Sequence, residues 1–361
     1  MSALKQIIKS IIPSRFHKAY MRYRFDESQI IYKGINYRDF LTAALTDFKK
    51  EYKYREIKSL LSDIKDTYIA DGTRPDEYFL YGFEHKRAEE RSVYMPQRAK
   101  DKILLNFYSP KGLEIIEQLR DKWIFYNIAK PFFKRDVVKI ESVGDFADFE
   151  VFSMKHKHFI CKIINSGCGV GIRKETVDDK EHSHAKVELF NKLIGQGKWI
   201  IEELIIQHKT LSYFNESSVN TVRFPSFRHG NNIVQAYPCI RFGRKGSIVD
   251  NAGQKGVFAS IDIKTGTICT NGFDELGNEY EMHPDSKVHF KGFTIPQWSE
   301  LIEVARQAHL SLPENQTYVA FDFALSDKGW MIVEGNWGDF VLQQTSLKRG
   351  LKNEFLSLLN G

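Results

Sequence analysis

The chain has 361 residues, of which 42% are hydrophobic and 27% charged, and its formal net charge at pH 7 is +6. This composition is typical of a globular protein with one large core or two to three smaller lobes. The small basic excess is spread along the sequence, so we do not expect nucleic acid as a partner. The four cysteines form no CxxC pair, which argues against a zinc site or a disulfide framework and favours the reducing cytoplasm.

The start of the chain is basic and apolar, with no acidic side chain between Lys5 and Arg24. No apolar run reaches the roughly 20 residues of a membrane-spanning helix, and the features of a signal peptide are missing. Two interpretations stay open. The segment packs on its own protein as an amphipathic helix broken at Pro13, or residues 1–25 make peripheral contact with the anionic inner face of the membrane.

The first third of the chain is typical of charged helices and contains no catalytic pattern. Helical periodicity predicts helices over Tyr37–Tyr54 and Arg55–Ile69. A serine followed by a proline at Ser109-Pro110 signals the start of a further helix, which we expect to end before Pro131. The role of this region does not follow from its sequence.

After Val137, short β-branched and aromatic runs alternate with turn-forming residues. The predicted strands cover Phe159–Ile164, Trp199–Ile206, Val219–Phe227, Ile233–Phe242, Phe258–Ile263 and Thr317–Leu325. Two predicted helices interrupt them, near His182–Ile194 and Pro296–Leu310. This order of elements predicts an α+β fold, with a helical N-terminal region over residues 1–111 and one further domain over residues 112–361.

The strongest local pattern is TYVAFDFALSDKGWMIVEGN, which ends at Asn336 and predicts two strands joined by a tight turn. A three-residue turn with Gly329 in the left-handed conformation places Asp322 opposite Glu334. Strand alternation then puts Asn336 on the same face as Glu334. Three oxygen ligands from one hairpin suit Mg²⁺, with phosphate and water completing the coordination. The alternative is a solvated polar face beside a buried one.

A second pattern is FICKIINSGCGVG, in which an apolar strand carrying Lys162 runs into a loop with Gly167, Gly169 and Gly171. Glycines expose backbone N–H groups to a phosphate, and the lysine adds a positive charge. The sequence lacks the ending of a P-loop. A hairpin turn is therefore an alternative to a phosphate site.

Three further sets of polar residues follow along the chain. Glu202 and Glu203 lie inside the apolar strand WIIEELIIQH, either in a nucleotide cleft or on an edge facing water. His208, at the end of this run, has no second histidine at the spacing typical of a pair of metal ligands. Arginines on strands that face a phosphate would clamp the transferred group. The polar residues that follow these glutamates and the histidine are Asn220, Arg223, Arg241, Asp250 and Asn251.

Seven ordered segments resemble the ATP-grasp superfamily, and specifically its sugar-transfer-associated family. They are RDKWIF with Lys122, the Lys162 strand with its glycine loop, IIEELIIQH, SSVNTVRF, CIRFGRKGSIVDN, VAFDFAL and VEGN. The resemblance covers about Asp121 to Asn336. The sequence departs from the family pattern at two places. Trp337-Gly338-Asp339 stands in place of a proline-glycine pair, and the glycine pair expected after Asp250-Asn251 is split into Gly253 and Gly256.

The resemblance implies an ATP-grasp fold whose two lobes, with mixed or antiparallel sheets, close on ATP and one or two Mg²⁺ ions. Lys122 and Lys162 then resemble the nucleotide-binding lysines, with the Gly167–Gly171 loop as the lid over the phosphates. Glu202, Glu203 and Leu204 resemble the strand that binds adenine, with His208 near the ribose. Arg223 and Arg241 resemble catalytic phosphate clamps. Substrate contacts fall on Asn220, Asp250 and Asn251, and the metal ligands on Asp322, Glu334 and Asn336.

The implied activity is an ADP-forming carboxylate-amine ligase that acts through an acyl phosphate. Its partners would be a small or sugar-linked carboxylate and an amine, in the synthesis of surface polysaccharides. A kinase that phosphorylates a small molecule or sugar uses the same site residues and stays as an alternative. A nucleotide-binding scaffold is less favoured, because a scaffold needs no set of three metal ligands.

Overall fold

The computed structural model describes residues 31–32, 35–36, 46, 54–166, 171–177, 184–251, 253, 255–338 and 340–361. The basic start over residues 1–25, most of the predicted helix Tyr37–Tyr54, and Gly167 and Gly169 lie outside these residues. The chain divides into two compact units. One is Met1–Leu104 with Lys348–Leu351, and the other is Leu105–Leu347 with Lys352–Gly361.

The described part of the first unit is mainly helical. Its core is rich in aromatic side chains, among them Tyr78, Phe79, Phe83 and Tyr94, which pack edge to face or tilted. A two-residue antiparallel ladder joins β1 (Ile31–Tyr32) and β2 (Ile35–Asn36). The helices up to the end of this unit are α1 (Tyr54–Asp71), α2 (Pro75–Leu80), α3 (Ala88–Ser92) and α4 (Gln97–Phe107), which continues into the second unit.

The prediction of one continuous helix between Ser109-Pro110 and Pro131 is wrong, because the structure has two. They are α5 (Gly112–Arg120) and α6 (Lys122–Ala129). Asp121 separates them with an extended backbone, and its carboxylate accepts hydrogen bonds from the N–H groups of Trp123 and Ile124 at 2.9 Å. A side chain that satisfies free N–H groups favours a new helix start at this position.

A four-stranded antiparallel sheet follows, in the order β3-β6-β4-β5. Helices α7 (Phe146–Lys155) and α8 (His184–Ile194) accompany it, and Phe149, Phe159 and Phe190 pack in its core. We call it the small sheet. Its strands are β3 (Val137–Ile140), β4 (His158–Ile163), β5 (Arg173–Thr176) and β6 (Trp199–Glu203).

An eight-stranded antiparallel sheet, the large sheet, has the order β12-β11-β10-β9-β7-β13-β14, with β8 paired to β7. Its central strands are buried along almost their whole length and form the main core with α10 (Trp298–Ser311). The strands are β7 (Thr221–His229), β8 (Asn232–Gln235), β9 (Cys239–Phe242), β10 (Val257–Ser260), β11 (Gly272–Phe273), β12 (Glu279–Tyr280), β13 (Tyr318–Ser326) and β14 (Gly329–Asn336).

Three short helices complete the second unit, namely α9 (Lys209–Ser212), α11 (Val341–Ser346) and α12 (Lys352–Asn360). The predicted strand Ile233–Phe242 is two strands, β8 and β9, and Pro238 lies in the segment between them. The architecture is α+β, as predicted. Within the described parts of the chain, no helix is long and apolar enough to cross a membrane.

Candidate active site

The hairpin of β13 and β14 places Asp322 directly opposite Glu334, as predicted, although its turn differs from the prediction. Gly329 has a left-handed φ of +79° but pairs with Ser326, so the turn has two residues instead of three. The register near the turn would bring Val333 opposite Asp322. A bulge between the Phe323–Ile332 pair and the Asp322–Glu334 pair leaves Val333 as the extra residue on β14.

Two arginines hold the Asp322 carboxylate, which has no exposed surface. Arg223 on β7 donates from Nε and Nη2 at 2.5 and 3.0 Å, and Arg241 on β9 donates from Nη2 at 2.9 Å. Burial alone would raise the pKa of Asp322, but the two guanidinium groups outweigh it and hold the pKa at about 2. The predicted phosphate clamps therefore lie beside a carboxylate that stays charged.

Glu334 is in a different electrostatic position from Asp322. Its pKa is raised, first by burial and then by the neighbouring Asp322 charge. Asn336 lies on the same face and donates from Nδ2 to Asp322 Oδ2 and Glu334 Oε1, both at 3.2 Å. A half-turn of this amide brings its oxygen toward the two carboxylates. A buried carboxylate, an adjacent half-buried one and an amide oxygen form a donor set that fits Mg²⁺.

Lys162 and Glu202 form a buried ion pair on adjacent strands of the small sheet. The ammonium lies 2.9 Å from Oε1 and 3.0 Å from Oε2 of the glutamate. Arg135 donates from Nε and Nη2 to Glu202 Oε2 at 2.9 and 2.7 Å. Burial raises the pKa of Glu202, yet Arg135 and Lys162 lower it below its usual value. Glu202 therefore orients Lys162 and is not exposed on a strand edge.

Lys122 is bound at the start of the glycine loop. Its ammonium donates to the carbonyl oxygens of Ile163 at 3.1 Å and Ile164 at 3.2 Å, and also to that of Ser166. Burial lowers the pKa of Lys122, while Glu334 acts to raise it. Gly171 has a φ of +75°, and a Cβ there would lie 2.5 Å from Ile163 Cδ1, so this end of the loop requires glycine.

The larger of two relevant cavities has a volume of about 610 Å³ and brings together many of the predicted residues. The continuous segment from Glu202 through Gln207 lines it, together with apolar residues such as Ile160 and Ile248. This size and mixed lining suit a nucleotide. The predicted residues on its wall are Lys162, Glu202, Glu203, Leu204, Arg241, Asp250, Asn251 and Glu334.

The smaller cavity, of about 220 Å³, shares Glu202, Val333 and Glu334 with the larger one. Its polar lining includes Arg120, Lys122 and Asn336, and its aromatic lining includes Trp337. The departure from the family pattern after Asn336 therefore falls on the wall of this cavity.

Five of the predicted residues that the structure describes line neither cavity, namely Gly171, His208, Asn220, Arg223 and Asp322. Of these, His208 and Asn220 make hydrogen bonds within the protein. The ring of His208 caps α9 by accepting from the Thr210 N–H at 3.3 Å. Its position near the ribose stays a prediction. Asn220 is fully buried, donates to the Leu211 and Asn215 carbonyls and accepts from Gly243 N–H. This placement does not support the prediction that Asn220 contacts a substrate.

Asp250 lies on the cavity wall, but its carboxylate is engaged within the protein. Oδ2 accepts from the Thr221 N–H at 2.8 Å and hydroxyl at 2.5 Å, and it lies 3.7 Å from Arg241 Nε. Burial raises the pKa of Asp250, although Arg241 acts to lower it. Asp250 therefore fixes Arg241 together with Thr221, whose hydroxyl accepts from Arg241 Nε at 3.1 Å.

Sequence reasoning missed Arg135 and Thr221. Arg135 stands in the basic and aromatic run FFKRD, where nothing distinguishes a buried arginine from a surface one. Thr221 lies within the recognised segment SSVNTVRF, and strand alternation from Arg223 places both on one face. That signal was sufficient to identify Thr221.

The two antiparallel sheets carry many of the side chains that line the two cavities. A profile of the sugar-transfer associated ATP-grasp family matches residues 113–358, and the chain belongs to this family. No curated protein matches the chain.

The chain is also similar to solved structures, at low identity and low TM-score. D-alanine-D-alanine ligase from Coxiella burnetii is 7% identical, with a TM-score of 0.35 over 61% of this chain and 48% of that one. D-alanine-D-alanine ligase from Helicobacter pylori is 12% identical, with a TM-score of 0.40 over 67% and 60%. The ATP-grasp ligase PsnB, complexed with Mg, ADP and a variant of its minimal precursor, is 10% identical, with a TM-score of 0.40 over 88% and 73%. The chain thus spans less than two thirds of either D-alanine-D-alanine ligase.

Proposed function

We propose that the protein is an ATP-dependent carboxylate-amine ligase that acts through an acyl phosphate. The observation that carries this proposal is the position of Glu334, which borders both the larger and the smaller cavity. A nucleotide in the larger cavity and an acceptor in the smaller one would meet at the candidate metal ligands. Membership of the ATP-grasp family supports the nucleotide assignment.

In the larger cavity, the backbone at Glu203 and Leu204 would bind the adenine edge, and Lys162 would bind a phosphate oxygen. Bound Mg²⁺, held by Asp322, Glu334 and Asn336, would offset charge on the transferred phosphoryl group. Arg241 lies on the same wall and is held by Asp322, Thr221 and Asp250. Since three partners fix this arginine, it can stabilise developing negative charge without rearrangement.

The proposed reaction has two steps. An acceptor carboxylate oxygen forms a bond to the γ-phosphorus while the bond to the β–γ bridging oxygen breaks, which releases ADP. An amine nitrogen then attacks the acyl carbon and loses a proton, and inorganic phosphate leaves with the electron pair of its bond to that carbon. Arg241 would stabilise the oxyanion formed in the second step.

The acceptor is proposed to be a sugar acid or an amino acid, since the smaller cavity combines limited volume with the cations Arg120 and Lys122. The family description supports a link to sugar transfer and hence to surface polysaccharides, by analogy alone. We place the enzyme in the cytoplasm. Residues 1–25 are proposed to contact anionic lipid, on charge pattern alone.

One experiment tests this function. Purified protein is incubated with ATP, Mg²⁺, pooled sugar acids and pooled amino acids, and nucleotide products and new masses are followed. ADP and phosphate formed only when carboxylate and amine are both present, together with a condensed product, support the ligase. ADP with a stable phosphorylated acceptor and no need for amine identifies a kinase. The absence of nucleotide turnover and binding under all conditions contradicts both.

A further inference from the structure

Arg135 is a buried arginine that links the two sheets at the candidate site. Its side chain is only 2% exposed. Toward the small sheet, Nε and Nη2 donate to Glu202 Oε2. Toward the large sheet, Nη1 donates to the Ile332 carbonyl at 2.6 Å and Nη2 to the Val333 carbonyl at 3.4 Å. The guanidinium group also lies 4.7 Å from the centre of the Phe133 ring.

Arg135 also donates from Nη1 to the Phe133 carbonyl at 3.1 Å, and its two other carbonyl partners, Ile332 and Val333, lie at the bulge of β14. Val333 is the extra residue, and it directly precedes Glu334. If the register near the turn continued without the bulge, Val333 would stand opposite Asp322. A shift of one residue moves a strand's side chains to the opposite face of the sheet. The bulge is therefore the feature that brings the Glu334 and Asp322 carboxylates to one face.

The same guanidinium group also influences the position of Lys162, through Glu202. Glu202 accepts from both Arg135 and Lys162, so the position of the Lys162 ammonium depends on a carboxylate that Arg135 fixes. Because the guanidinium group is planar and has five N–H donors, it can serve a carboxylate and two carbonyls at once. A lysine at this position cannot reproduce that geometry.

We propose that Arg135 is a positioning residue, which fixes the Val333 bulge and thereby sets Glu334 against Asp322 while it orients Lys162 through Glu202. This inference rests on the proposed function for the roles of Glu334 and Lys162. Arg135 does not itself line the larger cavity, so its proposed role is to position residues that do. One buried side chain then joins the metal-binding hairpin to the phosphate-binding strand.

The test compares Arg135→Gln and Arg135→Lys with the matched control Arg228→Gln in the full-length protein. Arg228 is also buried and also donates to carbonyls, at 2.9 Å to both Gly230 and Leu312, but it contacts neither Glu202 nor β14. The control therefore reports the cost of losing a buried guanidinium group elsewhere. Arg135→Lys retains the charge and serves as the test variant if Arg135→Gln does not fold.

Two measurements separate positioning from a general structural role. Hydrogen exchange of the peptide around Val333 should be faster in both Arg135 variants and unchanged in Arg228→Gln. Affinity for Mn²⁺, measured by electron paramagnetic resonance with a non-hydrolysable ATP analogue, should fall about 10- to 100-fold in the Arg135 variants only. An intermediate loss for Arg135→Lys would reflect its retained charge.

Unchanged exchange at Val333 in the Arg135 variants overturns the proposal, whatever the activity. So does a loss of Mn²⁺ affinity in Arg228→Gln that equals the loss in Arg135→Gln. If the parent protein binds no Mn²⁺ with the analogue, the metal part of the proposed function fails instead. Hydrogen exchange then still decides whether Arg135 holds the bulge.

Discussion

Arg223 and Asp322 are directly paired on adjacent strands and form two parallel hydrogen bonds, Nε to Oδ1 and Nη2 to Oδ2. Neither side chain is more than 9% exposed. Loss of the arginine leaves a buried carboxylate with Arg241 as its remaining guanidinium partner. We expect Arg223→Met to lower the free energy of unfolding by about 3 kcal/mol, because a buried charge loses its compensation. Urea denaturation at pH 7 measures this change.

The control for this variant is an exposed pair with the same geometry. Arg306 donates to Glu303 from Nε and Nη2 at 2.9 and 2.8 Å, on the solvent side of α10. Solvent screens this pair, so Arg306→Met should leave the free energy of unfolding nearly unchanged. If the free energy of unfolding fell equally in the two variants, burial would not increase the contribution of the Arg223–Asp322 pair to stability.

Glu334→Gln should nearly abolish turnover. The substitution keeps the shape of the side chain but removes a charge that would bind Mg²⁺. Metal stabilisation of the transferred group is worth several kcal/mol, so we expect a loss of roughly a thousandfold or more. Asn336→Ala should be milder, because water can replace a neutral ligand. ADP release measures the effect, with the surface variant Glu303→Gln as control, and near-parental turnover by Glu334→Gln would remove the metal assignment.

The hairpin shows what sequence patterns can and cannot predict. Alternation and turn chemistry gave the right pair, Asp322 with Glu334, although the predicted turn was one residue too long. The turn is one residue shorter than predicted, and the bulge at Val333 adds one residue to β14. The two differences compensate, so the predicted pair is retained. A bulge held by the distant Arg135 leaves no local pattern, because its cause is a tertiary hydrogen bond between residues about 200 positions apart.

Eight of the predicted site residues line the larger cavity, since alternation and burial are local properties that a strand pattern can reveal. It could not separate residues that face the cavity from those that support it. Asn220 and Asp250 lie in equally suggestive segments, yet Asn220 binds backbone groups and Asp250 binds Thr221. These partners lie in α9 and on β7, whose approach to Asn220 and Asp250 is set by tertiary packing.

Lys162→Ala should weaken ATP binding. One charge-assisted contact to phosphate is worth on the order of 1.5–3 kcal/mol, so the dissociation constant should rise by roughly 10- to 100-fold. Calorimetric titration with a non-hydrolysable ATP analogue, with and without Mg²⁺, measures this. The control Lys198→Ala removes an exposed lysine that is paired with Glu141 on the same sheet. Parental affinity in Lys162→Ala would contradict the phosphate-binding role.

His309 should make the stability of the protein depend on pH between about 4 and 6.5. The ring is fully buried, Nε2 lies 2.8 Å from the Gln316 carbonyl that it bonds, and Nδ1 lies 2.7 Å from the Ser226 hydroxyl. Burial lowers the pKa of His309 to about 4, against an ordinary value of 6.5. The unfolded chain therefore binds more protons than the folded one between these values, and stability falls as the pH falls through this range.

From pH 7 to pH 5 this one group should remove about 2 kcal/mol from the free energy of unfolding, because the unfolded state is protonated and the folded state is not. Carboxylates also titrate in this range, so the measured quantity is the difference between parent and variant in urea denaturation at the two pH values. His309→Gln should lose less stability than the parent on acidification. His289→Gln, which changes an exposed ring, should follow the parent. An identical pH dependence in His309→Gln and the parent would show that His309 binds protons equally in the folded and the unfolded state. The argument that burial lowers its pKa would then fail.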